Sequence, residues 1–291
     1  MPELPDIFVY QEALERHFAG STLTAFDVMH PFLVRTVSPP IKDAVGRRFV
    51  GFSHLGKRLV FEFEDELFAV IHLMIAGRLK LRGAGANRAA GCLAVFRTAE
   101  KALMLTEAGK KRRASIHMIQ GRDALSEHDP GGIEPLDCTI EAFAAALTSQ
   151  SQTVKRALTD PSVFSGIGNA YSDEILFAAK MSPYKPVQNI DPQTMQSLFD
   201  ATRGVLSGFL GRIRAEVGDG FPEKVTAFRD DFNVHGRYKQ PCNLCGKNIQ
   251  RIRRAESEMN YCAVCQTGGK LLSDRSLARL LKNDWQKTLD M

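Results

Sequence analysis

The apolar positions of the chain change period once, and that change divides it. From Asp6 to Phe18, Ile7, Tyr10, Leu14 and Phe18 recur at helical spacing with Glu12, Glu15 and Arg16 between them. This predicts an amphipathic helix that anchors the N-terminus against a core. From Thr22 to about Ile119 the period shortens toward two. Leu59-Val60-Phe61-Glu62-Phe63-Glu64 alternates, Asp65-Glu66 supplies a turn, and Leu67-Phe68-Ala69-Val70-Ile71 returns as an apolar run. Cys92-Leu93-Ala94-Val95-Phe96 passes through a polar turn at Thr98–Lys101 into Leu103-Met104-Leu105. Several short strands in succession predict an antiparallel sandwich or barrel. Asp129-Pro130-Gly131-Gly132 ends that regime, and helices are expected over Ile140–Thr148, Val154–Leu158 and Asp191–Leu210. Gly218–His235 mixes glycine, proline and charge and reads as a long loop. A last helix is expected within Leu271–Trp285, with Ser273-Asp274 at its start and Leu277, Leu280, Leu281 and Trp285 near one face.

Composition narrows the class. A length of 291 residues predicts two compact domains, and 44% hydrophobic with 24% charged residues describes an ordinary soluble protein. No run of 18 or more apolar residues occurs, so no membrane helix is expected. The acidic start lacks the basic-then-apolar pattern of a secretion signal, and the expected location is cytoplasmic, of bacterial type. A net charge of +5 leans mildly toward a polyanionic partner. Of six cysteines, Cys92 and Cys138 stand alone, whereas Cys242, Cys245, Cys262 and Cys265 form two Cys-x-x-Cys pairs 16 residues apart. Four thiolates suit one tetrahedral zinc ion, and a closed set of four leaves no open position for catalysis, so the expected role of the zinc is structural. Between Arg237 and Arg254 lie Lys239, Lys247, Arg251 and Arg253 and no acidic residue, a composition suited to gripping a phosphate backbone.

Three other stretches carry candidate chemistry. Gly56-Lys57-Arg58 and Lys110-Lys111-Arg112-Arg113 read either as solvated turns or as phosphate contacts. Gly166-Ile167-Gly168-Asn169 is either a plain turn between helices or a place where backbone approaches a phosphate at a helix N-terminus. The third is the start, Met1-Pro2-Glu3-Leu4-Pro5-Asp6. If the initiator methionine is removed, as proline's small side chain favours, Pro2 presents a secondary amine. Such an amine forms a permanently charged iminium with a carbonyl-like carbon, and Glu3 is placed to move protons. Taken alone, the same hexapeptide reads more readily as a chance Met-Pro start with Pro5 in the first turn of a helix.

Pro2-Glu3-Leu4-Pro5, the Gly168-Asn169 turn and the four-cysteine finger occur in this order, with His72-Leu73 and Val234-His235-Gly236-Arg237 between them. Together they resemble the formamidopyrimidine-DNA glycosylase/endonuclease VIII family over residues 2 to about 266. The resemblance implies an α+β protein: an antiparallel β-sandwich with flanking helices over 1–125, a helix-two-turns-helix domain over 132–234, a zinc ribbon over 235–268 and a helical tail over 269–291. It implies a monomeric enzyme, with no membrane partner, that binds damaged DNA between its domains. Pro2 would attack C1′ of a damaged nucleotide and expel the base, with Glu3 protonating and orienting the sugar. Lys57 would contact the phosphate beside the lesion, and Lys155 and Asn169 would hold backbone phosphates. Arg112, Arg113, Arg253 and Arg254 are further DNA-contact candidates. Strand cleavage would follow by β-elimination, often with δ-elimination.

The departures bear on the substrate. Where the family usually has an arginine five residues before the third zinc cysteine, this chain has Ser257; Arg253 or Arg254 could substitute at a changed distance. Members that excise oxidised purines carry a methionine and an Arg-Arg-Phe segment that fill the void left by the flipped base. Here the matching positions are Ile75 and Arg112-Arg113-Ala114, so the aromatic wedge is missing, with Met74 as a partial replacement. These losses speak against carrying over 8-oxoguanine specificity and toward other lesions, or unpaired or distorted DNA. Two other classes stay open at this point: a non-catalytic binder of damaged or structured DNA that kept the fold, and a zinc-ribbon RNA-binding protein.

Overall fold

The N-terminal helix is present as α1, Leu4–Phe18, beginning two residues earlier than its apolar spacing predicts because Glu3 and Asp6 close a capping box at its start. The computed structural model describes residues 1–108, 111–225, 229–254 and 257–272, with Arg254 and Ser257 described through their backbone. The tail helix expected within Leu271–Trp285 falls outside these residues from position 273, as does Lys110.

After α1 come eight strands: β1 Ala25–Val28, β2 Phe49–Leu55, β3 Arg58–Phe63, β4 Leu67–His72, β5 Gly77–Gly83, β6 Cys92–Arg97, β7 Lys101–Glu107 and β8 Ser115–Gln120. They form two antiparallel four-stranded sheets, ordered β1-β6-β7-β5 and β2-β3-β4-β8. The apolar run Leu67–Ile71 is buried throughout because both faces of β4 are covered. Leu67, Ala69 and Ile71 join the main core with Phe61, Phe96 and Leu105, while Phe68 and Val70 pack with Val60, Ile119 and the short helix α2, Arg122–Ser126. Helix α1 contributes Ile7, Tyr10, Leu14 and Phe18 to that main core, and Glu15 on the same helix accepts the Phe52 N–H at 3.1 Å. The catalytic candidates at the chain start are thereby held to a sheet rather than left to fray.

Pairing register brings several loops to one end of the second sheet. Arg58 pairs with His72 and His72 with Ser115, so the β2–β3 turn, the end of β4 and the start of β8 lie together. A parallel bridge from Val34 to Ile116 adds the 30–35 segment to the same end. Gly56 occupies the left-handed region, φ 60°, which lets two residues turn β2 into β3 with Lys57 at the corner. Gly77 closes the next turn: its N–H donates to the Leu73 carbonyl at 2.9 Å, and a Cβ there would sit 2.2 Å from that oxygen.

The second part of the chain is built from α3 Ile140–Thr148, α4 Val154–Thr159, α5 Asn169–Ala178 and α6 Pro192–Val217, then the hairpin β9 Gln250–Arg254 and β10 Ser257–Tyr261, and α7 Ala263–Thr267. Helix α6 runs seven residues beyond its expected end at Leu210.

The chain divides into two compact units, Met1–Pro130 with Phe209–Ala227, and Gly131–Gly208 with Phe228–Met291. This departs from the serial boundaries that the resemblance implies. The cause is the segment after Gly208. Arg214 forms an ion pair with Glu12, the Arg82 guanidinium clasps the Glu223 carboxylate, and the Phe221 ring meets that of Tyr10 at 5.9 Å.

Candidate active site and nucleic-acid interface

Pro2 and Glu3 are both buried at the first turn of α1. The Glu3 N–H donates to Asp6 Oδ2 at 2.9 Å, and the Glu3 carboxylate faces the Asp6 N–H in return. The sequence reading passed over Asp6, although the three-residue spacing of Glu3 and Asp6 is itself a capping-box signal. Two carboxylates at a helix N-terminus also complement the helix dipole.

The charges around the terminus are mixed. Burial pulls the Met1 α-amine below its usual value; Glu3 and Asp6 draw it back up, while Arg78 and Lys57 push it further down. Arg78 sits at the start of β5, donating from Nε to the Val225 carbonyl at 2.5 Å and from Nη1 to Ile75 and Gly77 carbonyls at 3.0 and 2.6 Å. It therefore ties the turn after β4 to the loop after α6, a role with no local signature in the sequence. Beside Lys57 stands His72, whose imidazole is held down to about 4 by burial, then Arg58, Lys57 and His117. Its Nε2 is buried without a hydrogen-bond partner among the described residues. At this end of the sheet Met74 takes a left-handed φ of 53°, and Ile75 is more than half exposed.

Arg112 and Arg113 project from an exposed loop ahead of β8. What fixes that loop is Glu107, 3% exposed at the end of β7. Its carboxylate accepts the Arg113 N–H at 2.9 and 3.0 Å and the Ala114 N–H at 3.0 Å. An acid buried behind a basic loop thus fixes the loop backbone at Arg113 and Ala114.

In the second unit Lys155 corrects the expectation of a direct phosphate contact. Its ammonium is buried, and its three donors go to the Asn169 carbonyl at 2.9 Å, Ser172 Oγ at 2.7 Å and Asp173 Oδ1 at 2.6 Å. Three donors are all an ammonium has. Lys155 thus supports the start of α5, and Asn169, exposed at the first position of that helix, is the residue left facing solvent. Both line a pocket of about 290 Å³ with Thr153, Arg156, Tyr184 and the β9–β10 hairpin.

Asp173 and Glu174 are the residues the sequence reading missed here. Asp173 Oδ2 accepts His235 Nδ1 at 2.7 Å and the Asn260 N–H at 3.0 Å. Glu174 accepts four bonds, from the N–H groups of Asn233, Val234 and His235 and from the Asn233 amide. Helix α5, the Val234-His235 segment and the ribbon are thereby one hydrogen-bonded body. Adjacent acids in a helix usually read as solvated surface, and only the fold reveals them as the joint.

The four ribbon cysteines bring their sulfurs within 4.8 Å of one another. Cys242 and Cys265 Sγ lie 3.9 Å apart and Cys245 and Cys262 Sγ 3.4 Å apart, against about 3.8 Å between thiolates on a tetrahedral ion. Backbone N–H groups of Leu244 and Cys265 point at Cys242 and Cys262 Sγ at 3.4 and 3.5 Å. The set fits one metal ion and is closed. The charge of the hairpin is less one-sided than the Arg237–Arg254 interval suggests. Glu258 on β10 meets Arg251 at 3.4 Å and Arg253 at 3.6 Å, and Arg237 turns inward to the Phe232 carbonyl at 3.1 Å.

Fold and sites define a class: a β-sandwich unit with a buried, carboxylate-capped N-terminus, followed in the same chain by a helix–turn–helix unit closed by a four-cysteine ribbon. The formamidopyrimidine-DNA glycosylase N-terminal domain matches residues 1–122, and the formamidopyrimidine-DNA glycosylase H2TH domain matches 132–212. A formamidopyrimidine-DNA glycosylase of Desulforamulus reducens is 30% identical over 278 residues, covering 91% of this chain and 99% of its own. An uncharacterized formamidopyrimidine-DNA glycosylase-like protein of Mycobacterium tuberculosis is 38% identical over 151 residues, 52% of this chain and 94% of its own. Lactococcus lactis Fpg in complex with DNA containing an abasic site superposes with a TM-score of 0.80 at 23% identity, over 91% of this chain and 99% of that one, a likeness of fold. The chain belongs to the formamidopyrimidine-DNA glycosylase family. Among the described residues no helix is long and apolar enough to cross a membrane.

Proposed function

We propose that the protein is a DNA glycosylase that excises damaged bases and cleaves the strand at the resulting abasic site through a Schiff base on Pro2. The observation that carries this reading is the buried Pro2-Glu3 pair capped by Asp6, on a terminus flanked by Arg78 and Lys57. Removal of Met1 shifts the terminal amine to Pro2, the more buried position. Burial that favours an uncharged amine keeps a nucleophile available at neutral pH. Attack of the Pro2 nitrogen on C1′ breaks the glycosidic bond, and the departing base takes up a proton. Glu3 donates a proton to the ring oxygen as the sugar opens and the iminium forms. Loss of a C2′ proton then expels the 3′ phosphate, and water releases the amine from the iminium. Extrusion of the nucleotide precedes this, at a cost of a few kcal/mol that is least for damaged or unpaired bases.

Phosphate contacts in this reading come from Lys57, Arg112 and Arg113 on the first unit and from Asn169 on the second, with Lys155 acting through Asn169. Arg254 is favoured over Arg253 as the replacement for an arginine at position 257. Its Cα pairs directly with that of Ser257, whereas Arg253 pairs with Glu258. The metal is one zinc ion, held by Cys242, Cys245, Cys262 and Cys265, stabilising the ribbon.

The test is borohydride trapping on DNA carrying an abasic site, with the Pro2 terminus verified by intact mass. Wild type is expected to form a covalent adduct and Pro2→Gly to lose it. A wild-type protein with a free Pro2 that leaves no adduct overturns the proposal. Ser257 and Ala114 favour the competing reading of a non-catalytic DNA binder, which any turnover on abasic duplex eliminates.

A further inference from the structure

One aromatic side chain stands apart from the sandwich core. Phe32 is 80% exposed, in the short 3-10 helix Pro31–Leu33. Its outward position is enforced. The next residue, Leu33, is 3% exposed and packs in the main core. The chain beyond is bonded to β8, with the Arg35 N–H donating to the Ile116 carbonyl at 2.8 Å and the Met118 N–H to Thr36 Oγ1 at 2.8 Å. With Leu33 committed inward and 34–36 tied down, the ring of Phe32 has no route into the core.

Its surroundings are cationic. Phe32 borders a small recess of about 40 Å³ with His30, Arg35, Arg112 and Ala114, and among the described residues no acidic one lines it. Arg112 Nη1 contacts His30 Nε2, which joins the basic loop to the Phe32 segment. The parallel bridge between Val34 and Ile116 and the β4–β8 register put this ring at the sheet end that also holds the Lys57 turn. Ile75, exposed at the same sheet end, has no π face to offer.

We propose that Phe32 is a base-stacking platform, its ring packing on a nucleobase exposed where DNA has lost a base or come unstacked, with Arg35 and Arg112 on the flanking phosphates. An aromatic ring set among cations fits a polyanion whose bases present π faces, and such stacking tolerates any sequence. It supplies an aromatic group from the 30–35 segment in a loop neighbourhood where position 114 is alanine. The inference rests on the DNA-repair reading above.

The test uses the full-length zinc-loaded chain and a duplex with a tetrahydrofuran abasic analogue. Phe32→Ala and Phe32→Leu are expected to weaken binding on the order of ten-fold or more, and Phe32→Trp to retain it. In a Trp285→Phe background, the indole at position 32 should be quenched at saturating DNA. Thermal unfolding should be unchanged, since the ring is exposed. Wild-type affinity in either Phe32→Ala or Phe32→Leu, or an unquenched indole, overturns the proposal. So does a change in sedimentation with DNA affinity intact, which would make the ring a protein contact. Loss of DNA binding and trapping in the wild type would instead defeat the repair reading, and this one with it.

Discussion

The two units treat buried charge in opposite ways. In the second, every member of the network answers another: Lys155 to Asp173, Asp173 to His235 and Asn260, and Glu174 to four donors. In the first, the charges around the N-terminus pull in opposite directions. Burial and Arg78 lower the terminal amine while Glu3 raises it, and His72 is kept neutral between cations with its Nε2 unsatisfied. A satisfied network makes a stiff joint, and burial beside opposed charges shifts proton affinities where chemistry would occur. The second unit reads as the rigid grip and the first as the reactive end.

That contrast can be broken at three strengths. The largest effect should come from removing the zinc proposed for the ribbon, because a structural ion in a small ribbon contributes on the order of 10 kcal/mol of apparent folding energy. Chelation is expected to abolish hydrogen-exchange protection in β9, β10 and α7 and to weaken DNA binding, while β2–β8 stay protected. Unchanged affinity after verified zinc loss would show that the ribbon is not the clamp.

Next is Asp173→Asn, which leaves the buried Lys155 ammonium without its counter-charge. Breaking a buried pair on one side costs about 3–5 kcal/mol, read as a lowered urea midpoint. Glu3→Gln in the first unit should cost far less stability yet remove trapping on abasic DNA. Equal destabilisation by the two variants would erase the distinction between joint and reactive end.

The smallest effect concerns pH. His72 has a folded pKa of about 4 against an ordinary 6.5, so below 6.5 the unfolded chain takes up a proton that the folded protein refuses. Stability should therefore fall as pH drops from 6.5 toward 4, by about 2 kcal/mol at pH 5, and level off below. Burial comes first among the causes, with Arg58, Lys57 and His117 adding to it. Urea unfolding at pH 7 and pH 5 measures the slope, which His72→Gln should flatten. A slope that survives in that variant would assign it to another group.

Elements with strong local patterning were legible from sequence. The alternation in β3 and the apolar spacing of α1 mark the faces that turn to the main core, because side-chain period is a property of the backbone. The four cysteines were equally legible, since metal-ligand spacing is local within each pair. Even the continuous run in β4 showed that a strand lay there, though not that α2 covers its second face.

What the sequence by itself determined is the order of parts: a helix-anchored Pro2-Glu3 terminus, a β-rich half, a helical half with a Gly168-Asn169 turn, and a cysteine ribbon. Tertiary structure decided which charges face solvent. Lys155 reads as a phosphate contact and turns out buried, and Asp173-Glu174, which carry no local signal, form a joint. Glu107 aims a basic loop six residues away, and Phe32 is held outward by the burial of Leu33. Each of these depends on partners distant in the chain or across a sheet, and no local period or propensity encodes where such partners will lie.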